Sequence, residues 1–195
     1  MRRLRVPSGF TIIEMLVAVA ILAILTVMAV PSFNEFFEKQ RLRGAADSVV
    51  NFLNNQRLAA VKFDRQVHAS VRGAGTDWCV GARMAADPTV GQQVPAAGTC
   101  NCSVDAATCL VDGQATVFNV STLGGANVRP SIDAADIALT FDGRRGTLTD
   151  FADAGNVVLT SSSARWKLRI DVLGLGQART CVPADSLALN GFNPC

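Results

Sequence analysis

An apolar run of 21 residues, FTIIEMLVAVAILAILTVMAV from Phe10 to Val30, carries one ionisable side chain, Glu14. A helix of about 20 apolar residues is long enough to cross a bilayer. Arg2, Arg3 and Arg5 give it a basic start. A secretory signal begins the same way, but its apolar part spans about 7–15 residues and ends at a small-residue cleavage site. This run is longer and shows no such site. An ordinary signal anchor explains the length but not Glu14. A carboxylate in an apolar helix costs about 2.5–3.5 kcal/mol on insertion scales when central, and less near the membrane edge. That charge is expected to find a partner.

The basic start also decides how the net charge is read. The chain has 18 Lys and Arg against 16 Asp and Glu, a formal +2. Without Arg2, Arg3 and Arg5 the balance is 15 against 16. A broadly basic surface of the kind that binds nucleic acid over a whole face is therefore excluded, though a local patch is not. Basic residues before the apolar run stay cytoplasmic under the positive-inside rule. Cys79, Cys100, Cys102, Cys109, Cys181 and Cys195 all follow the run, so they face the opposite, oxidising compartment, where an even number of cysteines suits disulfides.

The segment GFTIIEMLVAVAILAIL, residues 9–25, resembles the class III signal of type IV pilins and of the pseudopilins of type II secretion. The resemblance implies residues 1–9 as a leader, cleavage between Gly9 and Phe10 by a prepilin peptidase, and N-methylation of Phe10. Residues 10–30 are then kept as a membrane and filament-core helix. It also implies that Glu14 pairs with the new ammonium of a neighbouring subunit during assembly, which would satisfy the lone charge. Expected partners are other minor and major pilins, the inner-membrane assembly platform and the membrane. The expected location is a single pass of the inner membrane, with the C-terminal domain in the periplasm.

Residues 31–63 continue the helix with a different pattern. Pro31 lacks an amide donor and predicts a kink. Beyond it Leu42, Ala45, Val49, Phe52, Leu53, Gln56 and Ala60 recur at three- and four-residue steps. Glu38, Lys39, Arg41, Arg43, Asp47 and Arg57 fall on what reads as a wet side. Residues 64–195 predict short strands at Val67–Val71, Asp77–Gly81, Thr116–Val120, Ile137–Phe141, Asn156–Leu159 and Arg165–Val172, set between Gly, Pro, Asn and Asp turns. The fold class is α+β: a long N-terminal helix, half membrane and half amphipathic, packed on an antiparallel sheet domain.

The segment IALTFDGRRGTL, residues 137–148, with the glycine-rich approach to Arg179, resembles the C-terminal domain of the GspH/FimT group, which includes FimU-type minor pilins. Phe141 would close an inward-facing strand, and Gly143 and Gly146 would supply backbone turns with positive φ. About Gly73 to Gly113 is a cysteine-bearing insertion without a counterpart. The group implies a structural, pilin-like role in assembly, with a secretion pseudopilus as the alternative setting.

Trp166, Leu168 and Ile170 alternate with Arg165, Lys167 and Arg169, which predicts one core face and one cationic ridge. Such a ridge is ordinary on the solvated face of a strand. With Arg179 it also suggests phosphate contacts to DNA. FimT-type DNA binders have glycine-arginine-x-arginine near the C-terminus, whereas this chain has GQAR at 176–179 and lacks one of the two arginines. Cys181 is expected to pair with Cys195, closing a loop of the size that gains about 3 kcal/mol in the chain-entropy model. Cys79, Cys100, Cys102 and Cys109 allow three pairings. As thiolate ligands they are disfavoured, because Cys-x-Cys is an unusual spacing for structural zinc. His68 is the single histidine. No catalytic set, metal site or cofactor motif is expected.

Overall fold

The computed structural model describes residues 10–85 and 100–195, with the side chains of residues 28–32 and 134–136 excepted. The expected leader, Gly9 included, lies outside the described residues, as do residues 86–99 of the insertion. The chain divides into two compact units, one ending at Phe37 and the other running from Glu38 to Cys195.

Helix α1 spans Ile12–Phe63, 52 residues. It continues through Pro31 rather than ending there; the side chain on which the expected kink rests lies outside the described set. Thr11 precedes the first turn, and its hydroxyl accepts the Glu14 amide at 3.3 Å. Thr-x-x-Glu is the spacing of a capping box, so Glu14 also sits where a carboxylate suits the helix N-terminus. At the other end Asp64 adopts φ +49°. The Arg65 amide reaches Ala60 O at 3.1 Å and the Asp64 amide reaches Val61 O at 3.3 Å. These are the two bonds of a Schellman cap, with Asp in the position glycine usually takes. Among the described residues no helix is long and apolar enough to cross a membrane.

The second unit is built on a seven-stranded antiparallel sheet. Its strands are β1 (Val67–Gly75), β2 (Asp77–Met84), β5 (Val117–Asn119), β6 (Ser131–Phe141), β7 (Gly155–Thr160), β8 (Lys167–Val172) and β9 (Ala178–Cys181), ordered β5-β2-β1-β6-β7-β8-β9. A separate hairpin pairs β3 (Leu110–Val111) with β4 (Gln114–Ala115). Each expected strand run has a counterpart; β3, β4 and β9 were not anticipated. Leu42, Ala45, Val49, Leu53 and Ala60 of α1 are buried in one core with Val67, Val71, Leu139, Phe141, Leu159, Trp166, Leu168 and Ile170. Alternation from Trp166, just before β8, through Leu168 and Ile170 on the strand places all three inside, as a period of two requires.

The two glycines of the β6–β7 connection differ in what they do. Gly146 has φ +65° and needs its lack of a side chain for conformation. Gly143 does not: it is not among the positive-φ glycines. A Cβ there would lie 2.4 Å from Arg65 N and 2.6 Å from Asp64 C. Close passage over the end of α1, rather than turn geometry, explains it.

Candidate functional site

From Phe10 to Val27 the helix shows solvent all its large apolar side chains whose exposure is described, from 51% at Val17 to 85% at Phe10. Isolated exposed apolar residues are ordinary, but a continuous surface of them marks a membrane or partner-binding surface. Phe10 and Glu14 both lie on this segment. Besides Glu14, the polar residues on this segment are Thr11 and Thr26, the latter donating its hydroxyl to Leu22 O at 2.7 Å, so Glu14 is the segment's single ionisable side chain.

On α1 the polar residues of the second unit correct the wet-side reading at four positions. Arg41 and Asp47 are exposed as expected, but Glu38, Lys39, Arg43 and Arg57 are half-buried. Glu38 Oε1 accepts from Ser162 Oγ at 2.9 Å and from the Ser163 amide. Lys39 Nζ lies 4.7 Å above the Trp166 ring. Arg43 donates to Asn190 O at 2.8 Å, with Phe192 beneath its guanidinium. Arg57 Nε donates to Gly146 O at 2.7 Å. These long side chains flank the apolar stripe and bind the loops at the sheet's end to the helix.

Glu38 and His68 titrate away from their ordinary values. Burial of Glu38 works to raise its carboxyl, but the Ser163 amide and the Ser161–Ser163 hydroxyls outweigh it and hold the pKa below 4.5. Burial, aided by the Arg83 charge, lowers His68 below 6.5. His68 Nδ1 faces Thr140 Oγ1 at 2.9 Å, and its buried Nε2 has no partner among the described residues. Because the folded His68 binds its proton less readily than the unfolded one, stability is full above about pH 6.5 and declines as pH falls below it. The depressed Glu38 contributes above about pH 4.5, and that contribution fades as pH falls through its folded value. Melting temperature should therefore drop in two stages on acidification. His68→Gln should flatten the first and Glu38→Gln the second; an unchanged upper stage in His68→Gln would remove the histidine from this account.

Arg165, Lys167, Arg169 and Arg179 do come together at the β8–β9 edge of the sheet, but not as a bare cationic ridge. Arg165 lies 4.7 Å over Trp166. Lys167 is paired with Asp185, which raises the lysine and lowers the aspartate through their hydrogen bond. Asp171 meets Arg169 Nε at 2.8 Å and Arg179 Nε at 3.9 Å. Three of the four cations thus already have a carboxylate, which competes with any phosphate. Asp171 shares the strand face of Arg169 by simple alternation, so sequence carried that signal; Asp185 comes from the C-terminal loop and could not be placed.

The cysteines pair as Cys79–Cys102, Cys100–Cys109 and Cys181–Cys195. The first two pack together against Gly81 of β2, and Ser70 Oγ donates to Cys100 O at 2.6 Å. The third fastens the end of the chain, where Val182 also bridges Pro194. Among the described residues no group of three or more His, Cys, Asp or Glu side chains could hold a metal ion.

Residues 5–30 match the family model for the prokaryotic N-terminal methylation motif. The chain therefore carries the N-terminal signature of pilin-like proteins, whose members are structural subunits. No curated protein and no solved structure matches it.

Proposed function

We propose that this chain is a minor pilin of a type IV pilus, an assembly and priming subunit of the GspH/FimT kind that supports pilus biogenesis and twitching motility and serves at or near the filament tip. The observation that carries the reading is the methylation motif over residues 5–30, set on a helix whose apolar side chains are exposed from Phe10 to Val27. Such a surface is stable first in lipid, then against the helices of neighbouring subunits. In this reading the peptidase cuts between Gly9 and Phe10, Phe10 is N-methylated, and the 21-residue run holds the protein in the inner membrane with its sheet domain in the periplasm. Glu14 then meets the N-terminal ammonium of an adjacent subunit. The neutralised β8 ridge gives no support to DNA binding, which is not part of the proposal.

Deleting the gene should abolish or sharply reduce surface pili, and the mass of the incorporated chain should begin at methylated Phe10. Normal piliation would sink the reading. Loss of exoprotein secretion with intact pili would reassign the chain to a type II secretion pseudopilus.

A further inference from the structure

Two loops at one end of the sheet are fastened to each other and to α1, yet what they hold outward is apolar and cationic. The β6–β7 connection is set by Asp142, whose Oδ1 accepts the Arg144 and Arg145 amides at 3.0 and 2.9 Å. Asp150 does the same for Ala152 at 2.8 Å. The β8–β9 turn is joined to it by Leu148 N donating to Gly174 O at 3.0 Å. Beneath both, Arg57 binds Gly146 O. Phe151 is 65% exposed and Leu175 59%. The Phe151 ring nevertheless lies so close to Gly174 that a Cβ there would be 2.3 Å from it. Arg144 and Arg145 are exposed and line a cleft of about 510 Å³ with Phe151 and Thr149. Among the described residues neither guanidinium meets a carboxylate, unlike Lys167, Arg169 and Arg179.

Aromatic and arginine side chains carried on a backbone that is already fixed are what interface hot spots are made of, because the loop itself has little freedom left to lose on binding. We propose that Arg144, Arg145, Phe151 and Leu175 form a docking surface for a neighbouring pilin-like subunit that presents a carboxylate beside apolar side chains. An arginine fork matches a carboxylate in the bidentate way. A nucleic-acid backbone fits less well, since Asp142 lines the same cleft as the two arginines and would repel a run of phosphates. The inference rests on the assembly reading above and adds to it a surface separate from the N-terminal helix.

The test uses the full chain in piliated cells, with a photo-crosslinking phenylalanine derivative placed at Phe151 in one strain and at Val17 in another. The Phe151 probe should join a second chain that itself begins with a methylation-type signal, identified by mass spectrometry. In the double variant Arg144→Glu, Arg145→Glu the yield should fall about tenfold or more, the scale of losing hot-spot contacts. Intact disulfides and an unchanged melting temperature would show that the variant is folded. Crosslinking at Val17 but not at Phe151 overturns the docking surface and leaves the assembly reading standing; no pilin crosslink at either position removes both. A Phe151 adduct that is insensitive to charge reversal, or a salt-sensitive DNA gel shift lost in the double variant, also overturns the proposal.

Discussion

A Gly81→Ala chain is expected to fail to close at least one of its two neighbouring disulfides and to lose about 2–5 kcal/mol, the usual effect of removing a native bridge from a small secreted domain. The cause is space rather than conformation, since Gly81 is not among the positive-φ glycines. A Cβ at Gly81 would stand 2.4 Å from Cys100 Sγ, 2.9 Å from Cys109 Sγ and 3.0 Å from Cys102 Cβ. Those atoms belong to two covalent bridges that are themselves buried, so none can swing aside as the tip of a flexible side chain would. Thiol titration of the unfolded protein should find at least one pair of free cysteines, and the melting transition should move down. Gly44→Ala provides the contrast. Nothing lies within 4 Å of its added Cβ, and alanine in a helix interior gains about 0.5–1 kcal/mol over glycine. Six oxidised cysteines and an unshifted transition in Gly81→Ala would refute the steric role of Gly81.

The case of Gly81 shows which parts of the molecule were legible in sequence and which were not. Leu42, Ala45, Val49, Leu53 and Ala60 could be assigned to the core because helical period depends only on spacing along one element. The β8 alternation was readable for the same reason. Glu38, Lys39, Arg43 and Arg57 were misplaced because they flank the apolar stripe, and whether a flanking side chain meets water or a loop depends on loops far away in sequence. Ser162, Asn190 and Gly146 are such distant partners. Short strands suffer likewise. Ala178–Cys181 has four residues, too few for a period, and exists as β9 because β8 offers it a hydrogen-bonding edge. The methylation motif over residues 5–30 lies at the opposite extreme. It is a linear string, so it is legible without any fold.

Gly176→Ala should cost about 3 kcal/mol or more, and should do so through Arg57. Gly176 has φ +76°, where an L side chain is strained, and its Cβ would lie 2.2 Å from Gly146 O and 3.3 Å from Arg57 Nε. Left-handed backbone alone costs roughly 1–2 kcal/mol for a residue with a Cβ. The larger part comes from displacing Gly146 O, the acceptor of Arg57, since a part-buried charged donor left without its partner costs about 1–3 kcal/mol or more. If both effects pass through that one carbonyl, Gly176→Ala and Arg57→Ala must be strongly non-additive. Denaturant midpoints of the two single variants and the double should give a coupling of about 0.5–3 kcal/mol, whereas independent sites would add within about 0.3–0.5 kcal/mol. Additivity would mean that the turn is held by something other than Arg57. The same variant bears on the docking surface, because loosening the β8–β9 turn frees Leu175 and removes the support under Phe151 without touching Arg144 or Arg145. Crosslinking at Phe151 should then fall although every charge is in place, since the surface acts through the rigidity with which these loops hold it.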